Sequence, residues 1–590
     1  MTDSDSSRGD LAAGASANGS YSIANASRAG AERRLGYADS MRIATIALAT
    51  SIILMSGSLA AQTAERPVLV VVLVVDQLRA DYLARFEHQW SHGLRRLMDE
   101  SAWFRQAAYP YFNTVTCAGH ATIATGSFPV THGQFMNEWW DRESGTLVNC
   151  TDDSDATTIG YADPRPGGHS ARRLLSPTLS DEMRTQLPVA ARVVSLSLKV
   201  RSAVMLAGHD ADLAAWFEGR TFASSSVYGP DRVPFLEQFL DQHPIERDVG
   251  HVWDRVQAAE AYLFPTSTPE SQPQAGWGPA FPHPLGGPGG SPDGRFYAQW
   301  SRSPCSDRYL VEMAMAAIDE MKLGQEDRTD YLAIGLSALD RVGHDFGPRS
   351  HEVQDTLMRL DESLGLLLDH LDTVVGPRRY VLALTADHGV MPIPEQVATW
   401  GIDSGRVDVD RLRAQVDDAL TPMLGAGPHV ARVNHTELYF APGVYDRLTT
   451  MPAALEAAMA AAASSPGVQA VYRTEDIPRL RASTRRVERA LSLNHVPARS
   501  GDLIIVPKIY WTTSENAAGH GTAYEYDTRV PILLSGPGIR RGRFDTAATP
   551  ADVAPTLAFL AGVTLAQPDG RVLVEALETA GPALPADSRP

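Results

Sequence analysis

Cysteine is nearly absent from this 590-residue chain, which holds only Cys117, Cys150 and Cys305. Three thiols cannot build a disulfide framework. Cys150 and Cys305 could pair in an oxidising compartment, and the other expectation is that all three are buried free thiols. No CxxC occurs, which excludes thiolate-held zinc of the usual spacing, so any metal must be held by histidine and carboxylate. Basic residues are also in deficit, 52 against 70 acidic ones, for a net charge of −18. That sign excludes a nucleic-acid coat or an anionic membrane surface as the main partner. An anionic ligand would therefore have to be met locally, by metal or by a few placed basic side chains. No internal repeat is evident, and no run beyond residue 62 has the roughly 20 apolar residues that cross a bilayer.

What is present is an ordinary globular composition, 44% hydrophobic and 21% charged. The length allows roughly two to four domains, or one large α/β domain with insertions. Residues 1–40 are polar and rich in Ser, Ala, Gly and Asp, as in a disordered or non-native extension. From Met41 a basic residue, a short apolar stretch and a small-residue zone follow. That order predicts a signal peptide over 41–62 and export to the periplasm or the outside, with no stable membrane insertion after cleavage.

Three continuous β-branched or apolar runs, residues 68–75, 331–336 and 380–385, read as strands buried on both faces of a mostly parallel sheet. Each is followed by an acid, namely Asp76, Asp340 and Asp387. Open α/β sheets place ligands at that end of their strands. A helix cap explains one such Asp but not the accompanying His344 and His388, nor His520 in a later Gly-rich loop. Three Asp and three His suit two Zn²⁺ ions, each with an open position, and a metal pair about 4 Å apart can clamp both oxygens of an in-line phosphoryl displacement.

Thr116 begins a stretch of small residues that reads as a helix start, with backbone N–H groups facing an incoming anion, and is the candidate nucleophile. Asn137 could donate its amide to a ligand oxygen. Residues 194–201 alternate, so a strand of period two is expected to carry Lys199 and Arg201 on one face. Two adjacent cations suit a dianionic phosphate. The Pro/Gly/Ser-rich residues 264–295 are expected as a surface loop or insertion. The catalytic core is expected over 63–395 and 500–590, with the strand 503–507 inside it. Residues 396–499 are expected as an inserted α+β cap that offers no catalytic group.

The ordered set Asp76, Thr116, Asp340-x3-His344, Asp387-His388, His520 resembles the alkaline phosphatase superfamily, in the branch shared with nucleotide pyrophosphatase/phosphodiesterases. Asn137 and the Lys199-x-Arg201 pair resemble the phosphate-irrepressible alkaline phosphatases within it. The resemblance implies an alkaline phosphatase-like α/β fold and two zinc ions. One would be held by Asp340, His344 and His520, the other by Asp76, Asp387 and His388, with Thr116 also a ligand. It implies hydrolysis of small-molecule phosphate monoesters through a phosphothreonine at Thr116, with Asn137, Lys199 and Arg201 on the phosphate oxygens. A phosphodiesterase or nucleotide pyrophosphatase of the same superfamily is the alternative. Cys117-Ala118 stands where many members have Gly-Pro, and the sulfatase frame Cys/Ser-x-Pro-x-Arg is lacking.

Overall fold

The computed structural model describes residues 66–160, 165–229, 234–266, 268–286 and 292–578. The extension 1–40 and the signal-type segment 41–62 lie outside the described residues. Among those residues no helix is long and apolar enough to cross a membrane.

The run Leu69–Val75 is the fifth strand of an eleven-stranded sheet, beside the middle one. Its parallel neighbours are Tyr380–Thr385 on one side and Asp330–Leu336 on the other. Val193–Ser197 and then Leu213–Glu218 extend the parallel region beyond Asp330–Leu336. Antiparallel strands Ile532–Ser535 and Thr221–Ser225 flank this block. Parallel strands need both faces covered, and the two faces go to different cores. Leu69, Val71, Leu73 and Val75 pack with Leu357, Leu364 and Leu371 of the helix His351–Val374. Val70, Val72 and Val74 pack with Ala121 and Ile123 of the helix Thr116–Thr125, and with Ala203 and Leu206 of the helix Val200–Ala207. Each fully buried Val or Leu contributes roughly 1.5–3 kcal/mol. A one-residue slip would exchange the two sets, so register is fixed, and every parallel strand ends at the same edge.

Three local expectations change. The strand after Arg192 stops at Ser197, and Lys199 is the N-cap of the helix Val200–Ala207, with Arg201 in its first turn. The alternation of Val194, Leu196 and Leu198 ends where Ser202 to Ala207, good helix formers on balance, allow a helix to nucleate. Leu503–Pro507 pairs with Glu437–Phe440 and Val468–Arg473 in a separate four-stranded sheet that also includes Val430–Asn434, rather than with the core strands. Buried on both sides, its sequence reads the same whichever sheet receives it. The 264–295 segment is no bare surface loop: Trp277, Phe281 and His283 are buried, and His283 Nε2 lies 3.0 Å from Glu352 Oε1 on the long helix.

Candidate functional site

At the shared strand edge the chain brings Asp76, Asp340, His388 and Lys199 into one buried cluster, with Asp387 and His120 against it. Lys199 Nζ lies between two carboxylates, 2.8 Å from Asp76 Oδ2 and 2.6 Å from Asp340 Oδ2. Burial opposes ionisation of both acids, but the Lys199 ammonium outweighs it, assisted by His120 at Asp76 and by His344 at Asp340. Both carboxyls are therefore held well below the usual range. The same partners raise Lys199 against its own burial.

The local sequence explains how these groups are held. Ser337 Oγ donates to Asp76 Oδ2 at 2.8 Å, and the Gln77 backbone N–H donates to Asp387 Oδ1 at 3.1 Å. Gln77 adopts φ 69°, a conformation that non-glycine residues rarely take, at the turn directly after Asp76. Buried Asp307 accepts the backbone N–H groups of Ser337 and Ala338, so it caps the helix Ala338–Phe346 that carries Asp340 and His344. Burial pushes the Asp307 carboxyl up to about 7. Gly119 packs so tightly on the Asp387 backbone that a Cβ there would collide with it.

The histidines share one arrangement. His344 Nδ1 lies 2.7 Å from the Ala518 carbonyl, His520 Nδ1 2.8 Å from that of Thr114, and His388 Nδ1 2.9 Å from that of Gly389. A carbonyl only accepts, so each Nδ1 carries a proton and each Nε2 is turned toward the carboxylates, where it can donate to them or, once deprotonated, ligate a metal. Those Nε2 atoms lie 3.3, 3.8 and 3.9 Å from Asp340 Oδ1 for His344, His520 and His388 respectively. His120, which sequence reasoning missed, repeats the pattern. Its Nδ1 lies 3.0 Å from the Thr116 carbonyl, while its Nε2 is 3.3 Å from Asp76 Oδ1. The spacing of four from Thr116 on one helix was the available signal. Two sets have ligand atoms close enough for an ion: Asp340 with His388 and His520, and Asp76 with His120 and Asp387. Asp76 Oδ1, His120 Nε2, Asp387 Oδ2 and His388 Nε2 are all buried without a well-formed hydrogen bond and are held against one another only as close pairs, His120 Nε2 at 3.3 Å from Asp76 Oδ1 and His388 Nε2 at 3.1 Å from Asp387 Oδ2. Four such atoms in one cluster would be costly unless something binds them, and this donor set suits a divalent metal.

Thr116 is buried at the first position of its helix. Beside it Asn137 is fixed through its acceptor side: Oδ1 receives the Cys117 N–H at 2.9 Å, and its carbonyl receives the Cys150 N–H at 2.9 Å. The amide NH₂ is left for another acceptor. Cys117 and Cys150 form a disulfide, and Cys305 is the free thiol. The expectation for Cys150 is thereby corrected: its partner is the residue after Thr116. Arg201 does not share Lys199's ion pairs with Asp76 and Asp340, and its Nε is buried without a partner.

Behind the Thr116 helix, buried His132 accepts the Gln134 N–H on Nδ1 at 3.0 Å, so its proton sits on Nε2, 3.0 Å from Thr122 Oγ1. Burial depresses His132 to about 3. The unfolded chain takes up a proton below about pH 6.5 while the folded one does not, so this contribution is present above that pH and is lost as pH falls. His132→Gln keeps one acceptor and one donor but cannot titrate. Relative to that variant, the wild type is expected to lose about 3 kcal/mol of unfolding free energy between pH 7 and pH 4.5. Denaturant titrations of both proteins check this, and parallel pH profiles would contradict it.

The chain is similar to several characterised proteins over most of its length. Alkaline phosphatase PhoV of Synechococcus elongatus is 29% identical over 520 residues, covering 87% of this chain and 92% of that protein. Alkaline phosphatase PafA of Elizabethkingia meningoseptica is 30% identical over 527 residues, covering 86% and 94%. The crystal structure of wild-type PafA superposes with a TM-score of 0.81 at 28% identity, over 88% of this chain and all of that one. Murine ectonucleotide pyrophosphatase/phosphodiesterase 5, at 15% identity and a TM-score of 0.51, shares the fold. The family described as type I phosphodiesterase / nucleotide pyrophosphatase matches residues 70–529, and the chain belongs to that family.

Proposed function

We propose that the chain hydrolyses phosphate monoesters at two zinc ions through transient phosphorylation of Thr116. The reading is carried by the convergence of buried carboxylate oxygens and imidazole Nε2 atoms, crowded together without well-formed hydrogen bonds, beside a threonine at a helix start. Asp340, His344 and His520 would hold one ion, and Asp76, Asp387, His388 and Thr116 the other; His388 Nε2 is within reach of both groups but nearer Asp387, at 3.1 Å, than Asp340, at 3.9 Å, and His120 stands beside the second ion against Asp76. Zinc bound there supplies Lewis acidity, lowering the pKa of the threonine hydroxyl and neutralising charge on the phosphoryl and leaving oxygens. Thr116 Oγ1 attacks phosphorus in line, the P–O bond to the alcohol breaks, and water later cleaves the phosphothreonine to release inorganic phosphate. The Asn137 amide, already anchored through its oxygen, donates to one non-bridging oxygen. Lys199 and the unpartnered Arg201 guanidinium meet the second negative charge that a monoester has and a diester lacks. The similarity to alkaline phosphatases PhoV and PafA supports the same chemistry.

Metal analysis joined to a phosphate-release screen tests this. The purified protein is expected to hold two zinc ions per chain and to lose activity by about 100-fold or more on chelation, with recovery on adding zinc. Its kcat/KM is expected to be higher for monoesters than for diesters. A preference for diesters would move the assignment to the phosphodiesterase alternative.

A further inference from the structure

One hairpin of the cap sheet reaches the catalytic edge. Val430–Asn434 and Glu437–Phe440 are joined at His435 and Thr436, and His435 is held at φ 52°. A non-glycine residue in that region is strained, and it persists only where its surroundings fix it. Here they do. Asn434 Nδ2 donates to the Glu138 carbonyl, one residue after Asn137, at 2.9 Å. Thr436 Oγ1 donates to Asn113 Oδ1, three residues before Thr116, at 3.1 Å, and Glu437 Oε2 accepts the Gly501 N–H. The hairpin is thus tied to the chain on both sides of the site. Its tip lines a narrow cleft with Met136, Thr513 and His520. His435 is exposed as a residue, but its imidazole is desolvated enough to be held below the usual range against the opposing Glu138 carboxylate, and neither the ring nor Thr513 Oγ1 hydrogen-bonds to another of the described residues.

From this geometry we infer a leaving-group subsite: His435 and Thr513 hydrogen-bond to hydroxyl groups on the departing alcohol, so the enzyme favours phosphate esters of polyols over those of aryl alcohols. The inference rests on the phosphomonoesterase reading. A hydroxyl beside His435 exchanges its bond to water for one to the ring, whereas an aryl group there can stack on the ring but leaves its nitrogens without a hydrogen-bond partner. The sequence hid this because a cap histidine at a turn looks like any loop residue until its hairpin is docked.

The test compares kcat/KM for glycerol 1-phosphate and phenyl phosphate in wild type, His435→Gly, Thr513→Val and the double variant. Glycine removes the ring yet suits the left-handed backbone, so folding is preserved. Each single variant is expected to lose about three- to tenfold more on glycerol 1-phosphate than on phenyl phosphate, and the double variant to combine the losses. Equal losses on both esters, or none, overturn the subsite and leave the phosphomonoesterase reading intact. A wild type that releases phosphate from neither ester overturns that reading and the subsite with it.

Discussion

Thr116→Ala is expected to lower kcat for phosphate monoesters by about 10⁴-fold or more, because removing a nucleophile abolishes the covalent route and leaves only what the rest of the site can do with water. The substitution deletes one oxygen and one methyl from a residue buried at the head of its helix. Asp76, Asp387, His388 and their supports from Ser337 and Gln77 are untouched, so zinc content should stay near two per chain. Rapid acid quenching of wild type with labelled substrate should trap phosphate on Thr116, and the variant should trap none. Thr116→Ser restores an oxygen and should restore most of the label. A Thr116→Ala protein that keeps a tenth of wild-type turnover would remove the nucleophile from the mechanism.

Lys199→Ala should cost monoester kcat/KM about 10³-fold, near the upper end of what one fixed charge facing a developing anion supplies. The loss on diesters should be smaller, since a diester lacks the second charge. A protein that merely lost its shape would lose both alike, so the ratio of the two losses is the informative measurement. The same change has a thermodynamic consequence. In chelator-treated protein the ammonium is the nearest counter-charge to Asp76 Oδ2 and Asp340 Oδ2. Its removal leaves two buried carboxylates facing each other, at a cost of about 3 kcal/mol or more. Added zinc should return most of that stability, because the ions then take over the neutralising role. Melting curves with and without metal would show it.

The convergence of the proposed ligands was legible because two signals coincide in the sequence. A continuous β-branched run can only be a strand covered on both faces, and an acid straight after it marks the edge where open sheets bind ligands. Residues 68–75 with Asp76 and 380–385 with Asp387-His388 are the clearest instances. The residues that escaped lack that pairing of signals. His120 is mid-helix, and its nearness to Asp76 depends on how the Thr116–Thr125 helix leans on the Asp387 loop, which Gly119 permits. Lys199 is among the expected site residues, but not on the expected strand: it continues a period-two pattern in sequence and begins a helix in space, and nothing local distinguishes a strand's last residues from a helix's first. Leu503–Pro507, a strand as expected, joins the second sheet rather than the core one, because burial, not partner identity, is what an apolar run encodes. His435 and Asp307 act at long range in the chain, and their roles exist only once the cap and the Pro304–Glu320 helix are packed.

The Cys117–Cys150 bond joins the residue after the proposed nucleophile to the far end of the Asn137 hairpin. Until it closes, the Cys117 and Cys150 N–H bonds to Asn137 and the Asn434 bond to the Glu138 carbonyl keep the amide beside Thr116 without a covalent tie. Assembly of the site is therefore coupled to an oxidation step: a chain matured among strong reductants would fold its sheet and gather its ligands yet leave the anion cradle slack. Competence would arrive last, as a chemical event rather than a conformational one.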